Sequence, residues 1–284
     1  MQGRRILVAG CGYVGSRLAR MLVEAGAEVF TLRRSRVEVV VGATPLRADL
    51  GRHLDPAVLP QRLHGVVFSA APSTPDEAGY RRIFAEGLGN LIRALTAGDG
   101  PPPRLVFTSS TAVYGQSDGE WVDEASATEP RRFNGRVLLE AEAMLHASPL
   151  AGCALRLGGI YGPGRIRRIE QVRAGSACLA PGGAHYTNRI HLEDAAGAIM
   201  HLLGLNGLDR IYLGVDHEPA ADNDFLRFLA GELGLPEPPT AEAPPTRRAG
   251  SKRCRNDRLV ASGYRFAYPC FREGYRALMR AAPS

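Results

Sequence analysis

Three glycines near the start of the chain have the spacing Gly-x-Gly-x-x-Gly. Gly10, Gly12 and Gly15 lie between an apolar run, residues 5–9, and an amphipathic stretch, residues 13–25. At such a turn, free backbone N–H groups and the positive end of the helix dipole point to one place, where a phosphate group binds. One glycine permits the tight turn, one the approach of the phosphate and one the packing of the helix on the strand. The pattern predicts a pyrophosphate site, and a turn without a ligand is the alternative interpretation.

Two arginines follow the next apolar run, residues 28–32. In dinucleotide sites, an Asp or Glu about 20 residues beyond the glycine turn binds the 2′-hydroxyl of the adenosine ribose. Here the segment is Leu32-Arg33-Arg34-Ser35, which has no acid. An arginine fork suits a 2′-phosphate. The segment therefore predicts NADP(H) as the preferred cofactor, with NAD(H) still compatible; two solvated surface arginines are the alternative.

Further residues at the ends of predicted strands complete the expected cofactor site. Asp49 and Leu50 follow the third strand and are expected to border the adenine, and Ala70 and Ala71 offer a small-residue edge to the other half of the dinucleotide. The full set predicted to contact the cofactor is Gly10, Gly12, Tyr13, Val14, Gly15, Arg33, Arg34, Ser35, Asp49, Leu50, Ala70 and Ala71.

The elements that must position these residues alternate in type along the first half of the chain. Short apolar strands separated by amphipathic helices predict an α/β fold, a Rossmann-type doubly wound parallel sheet covered on both faces. The predicted strands are 5–9, 28–32, 44–47, 65–70, 104–109 and 153–157, and the predicted helices are 13–25, 76–97 and 135–146.

The alternation becomes irregular after residue 157. We expect a loop over 158–164, helices over 193–205 and 222–233, a strand over 210–214 and a proline-rich connector over 235–246. A further helical patch is expected just before Gly263. These features predict a dinucleotide-binding domain over residues 1–157 and a smaller substrate lobe over 158–284, interleaved with the end of the sheet.

The positive charge of the chain is carried almost entirely by arginine. The net charge is +6, and Lys252 is the only lysine among 284 residues. No basic stretch is interleaved with aromatic residues, which argues against nucleic acid and favours a small anionic cofactor or substrate. Two clusters stand out, Arg165/Arg167/Arg168 and Arg247/Arg248/Lys252/Arg253/Arg255.

Other composition features indicate a cytoplasmic protein. No apolar run approaches the roughly 20 residues of a membrane span, and the first strand leaves no room for a signal peptide before it. Five widely spaced cysteines form neither a disulfide pattern nor a metal-binding pair, so no metal site is predicted. A homodimer is compatible with the sequence.

The next residues with chemical potential follow the fifth strand, in Ser109-Ser110-Thr111-Ala112-Val113-Tyr114-Gly115. At this point the chain resembles the extended short-chain dehydrogenase/reductases, the NAD(P)-dependent epimerase/dehydratase family. The resemblance covers nearly the whole chain. Its segments, in order, are the glycine turn, Asp49-Leu50, the serine segment, Leu155-Arg156-Leu157, Ile160-Tyr161-Gly162-Pro163-Gly164, Arg189-Ile190-His191-Leu192-Glu193-Asp194-Ala195 and Ile211-Tyr212-Leu213-Gly214.

The resemblance implies a catalytic Ser, Tyr and Lys, the last two as Tyr-x-x-x-Lys on one helix. Ser110 matches the serine, but Arg132 falls at the tyrosine position and Arg136 at the lysine position. This departure is similar to the atypical members of the superfamily. Arginine cannot serve as an acid or base, because its pKa lies above about 12, although it can stabilise an oxyanion. An ion pair between Arg136 and Glu140 on a solvated helix face is the alternative interpretation.

Another group must therefore supply the proton. Tyr114 joins Ser110, Arg136 and Arg132 in the predicted catalytic set, although its family equivalent is usually structural. Tyr161, His185 and His191 are the predicted substrate-lobe residues. His191, close to a helix start, also fits a capping role.

These residues predict an NAD(P)-dependent oxidoreductase or epimerase-like enzyme. NADP(H) is preferred, and the substrate is a small molecule that is sugar-like or anionic. The alternative is a non-catalytic NADP(H)-binding redox sensor or scaffold, which the missing Tyr and Lys favour.

Overall fold

The computed structural model describes residues 1–34, 40–98, 100–243 and 250–281. Ser35, which the sequence predicts to contact the cofactor, lies outside the described residues, as do Arg247 and Arg248 of the second basic cluster. The strands in chain order are β1 Arg5–Ala9, β2 Glu28–Arg33, β3 Ala43–Arg47, β4 Gly65–Phe68, β5 Arg104–Ser110, β6 Asp118–Val122, β7 Gly152–Leu157, β8 Gly159–Tyr161, β9 Tyr186–Thr187, β10 Arg189–His191, β11 Ile211–Gly214, β12 Ala220–Ala221 and β13 Ser251–Cys254.

The helices connect and cover these strands. They are α1 Tyr13–Glu24, α2 Glu77–Tyr80, a π-helix Arg81–Gly87, α3 Leu88–Leu95, α4 Phe133–Ala147, α5 Arg167–Arg173, α6 Leu192–Gly204, α7 Asp222–Glu232, α8 Asp257–Ala261 and α9 Phe271–Ala281, with short 3₁₀ turns at Pro56–Val58 and Thr111–Val113. Among the described residues, no helix combines the length and the apolar character that a bilayer span requires.

Seven strands form one parallel sheet in the order β11-β7-β5-β4-β1-β2-β3. Buried apolar residues fill the middle of its central strands, as expected where helices cover both faces; all four residues of β4 are buried. The order reverses direction between β1 and β4, and ligands bind in such sheets at the carboxyl ends of the strands at this point. The predicted α/β fold class is confirmed.

The described residues fall into two compact units. The first comprises Met1–Val113, Pro130–Arg156 and Ala196–Tyr212, and the second comprises Tyr114–Glu129, Leu157–Ala195 and Leu213–Ser284. The core of the second unit is aromatic: Phe225 and Tyr275 lie edge to face with centroids 4.9 Å apart. The predicted division into residues 1–157 and 158–284 stays a prediction.

Several elements differ from the sequence prediction. The predicted loop over 158–164 contains β8, which pairs with β10, and the helix expected over 76–97 is interrupted by the π-helix. Strands β6 and β13 form a ribbon of their own, outside the main sheet. Helices α5 and α9 were not predicted, although α9 buries Phe271, Tyr275 and Leu278 at helical spacing.

Candidate functional site

Two of the three glycines of the turn are required by sterics within the protein, and the third faces open space. Gly10 has φ +95°, and a Cβ there would overlap the backbone of Ala70. A Cβ on Gly15 would overlap the carbonyl of Gly10 and lie 2.7 Å from the Ser69 hydroxyl, so only glycine lets α1 pack this close. A Cβ on Gly12 meets no atom within 4 Å. Gly12 therefore faces open space, which is the cradle that a pyrophosphate group requires.

Serine hydroxyls hold this turn in place. Ser69, just beyond β4, donates a hydrogen bond of 2.6 Å to the Gly10 carbonyl. Ser16, in the first turns of α1, donates one of 3.0 Å to the Cys11 carbonyl. Neither serine was identified from the sequence, since their partners lie on the backbone of the turn. Tyr13 and Val14, which the sequence predicts to contact the cofactor, form the first turn of α1, and both are partly exposed.

A cavity of about 360 Å³ lies along the turn. The two arginines at the end of β2 border it from different directions: Arg33 donates to the Ser16 hydroxyl at 3.0 Å, and Arg34 donates to the Ser73 hydroxyl at 3.1 Å. The structure thus brings together most of the predicted cofactor residues. Those that line this cavity are Gly10, Gly12, Arg33, Arg34, Asp49, Leu50, Ala70 and Ala71.

The acid at the edge of this cavity is neutralised within the protein. One oxygen of Asp49 accepts a hydrogen bond of 2.6 Å from Arg82 of the π-helix, and the other accepts the Gly51 N–H at 3.0 Å. Leu50 beside it is buried. The negative charge of Asp49 therefore has a cationic partner, which favours an anionic ligand in the same cavity.

Ser110 ends β5, at the same edge of the sheet. Its side-chain oxygen accepts a hydrogen bond from the Ala112 N–H at 3.2 Å. Ser110 is partly exposed. The preceding Ser109 points the other way, into a buried cluster in which its hydroxyl donates to Glu142 at 2.6 Å. Glu142 also pairs with Arg156 of β7 at 2.7 Å, and both side chains are less than 5 % exposed.

The two arginines at the family's Tyr and Lys positions lie at the start of α4. Arg132 immediately precedes the helix, and Arg136 is in its first turn; both are exposed. The alternative ion pair between Arg136 and Glu140 does not form. Glu140 instead accepts two hydrogen bonds from Arg81, at 2.9 and 3.0 Å, while Arg136 donates to the Arg131 carbonyl at 3.2 Å.

The residues considered as proton donors have structural partners or buried surroundings. The Tyr114 hydroxyl donates to the Asp123 carbonyl at 2.7 Å. His191 accepts the Glu193 N–H on Nδ1 at 3.2 Å, at the start of α6, and burial lowers its pKa. The Tyr161 hydroxyl is buried with no hydrogen-bond partner among the described residues, and burial raises its pKa. His191 therefore has the helix-capping geometry that the sequence also allowed.

A larger cavity, of about 670 Å³, lies within the second unit. Of the three predicted substrate-lobe residues, Tyr161 and His185 line this cavity and His191 does not. The whole Arg165/Arg167/Arg168 cluster borders it, together with Arg189 of β10. In the sequence this cluster is only a local concentration of charge, and nothing there links Arg189 to it.

Arg189 is buried at the wall of this cavity. Its guanidinium lies over the Phe225 ring at 3.8 Å, and its Nη2 contacts Asp222 at 3.4 Å, an acid that also pairs with Arg168 at 3.2 Å. Its Nη1 is buried without a hydrogen-bond partner among the described residues. A cavity with several arginines and one paired acid has an excess of positive charge, which favours an anion.

The parallel sheet, the glycine turn and the cavity along it define a Rossmann-type dinucleotide-binding protein. A sequence model of the NAD dependent epimerase/dehydratase family matches residues 6–212. The chain belongs to this family, and the predicted resemblance is confirmed.

Two curated relatives illustrate the range of the similarity. Protein YeeZ of Escherichia coli K12 is 42 % identical over 138 residues, a match that spans 48 % of this chain and 48 % of that protein. The 3-diazoavenalumate denitrifying reductase of a Streptomyces species is 30 % identical over 302 residues, covering 95 % of this chain and 98 % of the relative.

Solved structures show the same fold over nearly the full length. A Methylobacillus flagellatus structure with the same family description has 37 % identity and a TM-score of 0.80, with 98 % of each chain covered. The UDP-glucose 4-epimerase of Thermus thermophilus, in complex with NAD, has 25 % identity and a TM-score of 0.81, with 98 % and 100 % covered.

Proposed function

We propose that this protein is a cytoplasmic oxidoreductase that prefers NADP(H) and acts on the carbonyl or alcohol group of a small anionic molecule. One observation carries the proposal: the cavity beside the glycine turn joins the open face of Gly12 to Arg33 and Arg34. No acid directly follows β2 to bind a ribose 2′-hydroxyl. Two guanidinium groups at that place suit a 2′-phosphate.

The bound cofactor would supply or accept a hydride, and the protein's own residues would bind and orient the reacting groups. Gly10, Gly12 and Gly15 would hold the pyrophosphate. Ser110 would donate a hydrogen bond to the reacting oxygen, and Arg136 would stabilise negative charge on it. Arginine cannot deliver the proton, so the proton would come from the substrate or from water, and we expect turnover to be slow.

The substrate class follows from the second-unit cavity. Arg165, Arg167, Arg168 and Arg189 line it, and Asp222 is the one acid among its lining residues. A carboxylate or phosphate group would balance this excess of positive charge. The names of the relatives, a reductase in one case and a sugar-nucleotide epimerase in another, agree with hydride chemistry on such a molecule.

The cofactor preference is tested by titrating NADPH and NADH into the protein. We expect NADPH to bind at least about tenfold more tightly, a difference of about 1.4 kcal/mol. The double variant Arg33→Ala/Arg34→Ala should close most of this gap, while Arg93→Ala on α3 should leave it unchanged. Equal affinities in the unmodified protein would contradict the preference for NADP(H).

The enzyme activity is tested with a panel of anionic aldehydes, ketones and sugar nucleotides in the presence of NADPH. A substrate should be found for which Ser110→Ala lowers turnover by about 10²–10³-fold, the usual loss for a donor to a developing oxyanion. Arg136→Ala should also lower turnover. NADPH affinity should stay unchanged in both variants.

A redox sensor or scaffold is the second candidate function. It is favoured by the hydrogen bonds of Tyr114 and His191, which commit two of the predicted proton donors to the backbone. The sensor predicts tight NADPH binding, no substrate-dependent oxidation across the panel and a partner whose affinity differs between NADP⁺ and NADPH. That combination of results would replace the enzyme proposal.

A further inference from the structure

Arg136 and Glu140 are one helical turn apart on α4, an arrangement in which opposite charges normally pair. In this protein they do not. Both oxygens of Glu140 accept hydrogen bonds from Arg81, Oε2 from Nη1 at 2.9 Å and Oε1 from Nη2 at 3.0 Å. Arg136 has no ion pair among the described residues, and its side chain donates one hydrogen bond there, to the Arg131 carbonyl. Each oxygen of Glu140 thus already accepts a hydrogen bond from an arginine outside α4.

The position of Arg81 is set by the helical segment that carries it. Arg81 begins the π-helix directly after α2, and it also lies 3.5 Å from Glu77. The preceding Tyr80 packs edge to face on Phe133, the first residue of α4, with centroids 5.5 Å apart. This aromatic contact fixes the start of the π-helix beside α4, so the Arg81 guanidinium meets Glu140 in a two-bond geometry.

The first turn of α4 lies close to the serine that we propose to act on the substrate. Gly135 packs so tightly on the turn after Ser110 that a Cβ there would overlap the Ala112 carbonyl. Arg136 is the next residue along the helix. A guanidinium at this place can act on the reacting oxygen only if it is not drawn one turn along the helix to Glu140.

We propose that Arg81 is a positioning residue for the reaction. By occupying both oxygens of Glu140, it keeps the Arg136 guanidinium available to the substrate. The two parallel bonds from Arg81 outcompete the single solvated pair that Arg136 would make along the helix. This inference rests on the function proposed above, and it adds a residue that is neither at the glycine turn nor in the serine segment.

The test is a set of variants of the full chain: Arg81→Met, Glu140→Gln and the double variant. In Arg81→Met, Glu140 is released and should capture Arg136, so turnover should fall at least about tenfold. NADPH affinity and thermal stability should change little. Glu140→Gln removes the competing charge, so turnover should stay within about twofold, and the double variant should recover to the same level. Arg93→Met on α3 is the matched control for loss of an exposed arginine.

A crystal structure of Arg81→Met provides a second measurement, which does not depend on turnover. We expect an Arg136–Glu140 ion pair there, with the nitrogen and oxygen within hydrogen-bonding range, and its absence would overturn the inference. Failure of Glu140→Gln to restore turnover in the Arg81→Met background would also overturn it, because Arg81 would then act only as a structural residue. If the unmodified protein shows no turnover, the proposed function fails, and the crystallographic measurement still decides whether Arg81 controls Arg136.

Discussion

Asp216 is a single residue whose surroundings set a pH dependence. It is buried, one oxygen accepts the Glu218 N–H at 3.1 Å, and the other has no hydrogen-bond partner among the described residues. Burial raises its pKa to about 8; the Glu218 N–H and Arg189 oppose this increase, and the charges of Glu218 and Asp194 add to it. The carboxyl group therefore keeps its proton in the folded protein at neutral pH.

The sign of the resulting effect follows from proton binding. Between about pH 4 and pH 8 the folded state holds a proton that the unfolded state has lost, so stability decreases as pH rises, by at most about 1.4 kcal/mol per pH unit. Asp216→Asn should remove this contribution. Urea unfolding at several pH values should show that the free energy of unfolding of the variant increases relative to that of the unmodified protein as pH rises from about 5 to about 8. Parallel curves would show that Asp216 does not titrate in this range.

At the scale of residues, the sequence predicted what depends on local sterics. Gly10, Gly12 and Gly15 were identifiable because a turn between strand and helix allows few residue types, and a Cβ at two of them would overlap the backbone. The role of Arg136 was not decidable in the same way. The alternative was an ion pair with Glu140, and what prevents that pair is Arg81, 59 positions from Glu140 in the chain.

At the scale of elements, a buried ion pair and a serine that is hydrogen-bonded to it join two strands and a helix. Ser109 on β5 and Arg156 on β7 both contact Glu142 on α4, and the pair is 2.7 Å apart. An exposed pair of the same length, Arg276 with Glu232, provides a comparison. Burial decides the difference, because an unpaired buried charge cannot be solvated.

Arg156→Met should destabilise the fold by about 3–5 kcal/mol. Arg276→Met should cost less than about 1 kcal/mol. Denaturant unfolding of both variants measures the two values. The double variant Arg156→Met/Glu142→Leu should recover much of the first loss, because it leaves no buried charge. Equal losses in the two single variants would mean that burial does not govern this pair.

The sheet was predictable because its central strands β1, β4 and β5 contain continuous runs of buried apolar residues. The prediction of β1 was correct at both ends, and those of β4 and β5 were wrong by one or two residues at one end. The ribbon of β6 and β13 was missed, because each strand is short, partly polar and paired only with a distant segment. Helix α9 was missed although its apolar spacing was readable.

At the scale of the molecule, the two cavities belong to different units of the chain. The cavity at the glycine turn is lined by the first unit and the arginine-rich cavity by the second. Anion binding in the second cavity should therefore be separable from cofactor binding by substitution.

Inorganic phosphate should raise the unfolding temperature of the NADPH-saturated protein, since a ligand that binds the folded state stabilises it. Arg168→Met should reduce this increase and leave NADPH affinity unchanged. Arg227→Met, which removes an arginine paired with Glu237 outside the cavity, is the control. A phosphate effect that is equal in all three proteins would exclude the second-unit cavity as the anion site.

The π-helix Arg81–Gly87 has a consequence for how this chain should be aligned with its relatives. In a π-helix the N–H of residue i+5 donates to the carbonyl of residue i, so the segment accommodates one residue more than an α-helix between the same neighbours. A relative with an uninterrupted α-helix here would align only with a gap. Without the extra residue, Arg81 and Arg82 would be rotated relative to α4 and to the segment after β3, so that Glu140 and Asp49 would not both keep their partners. Deleting one residue from this segment should therefore break at least one of the Arg81–Glu140 and Arg82–Asp49 ion pairs.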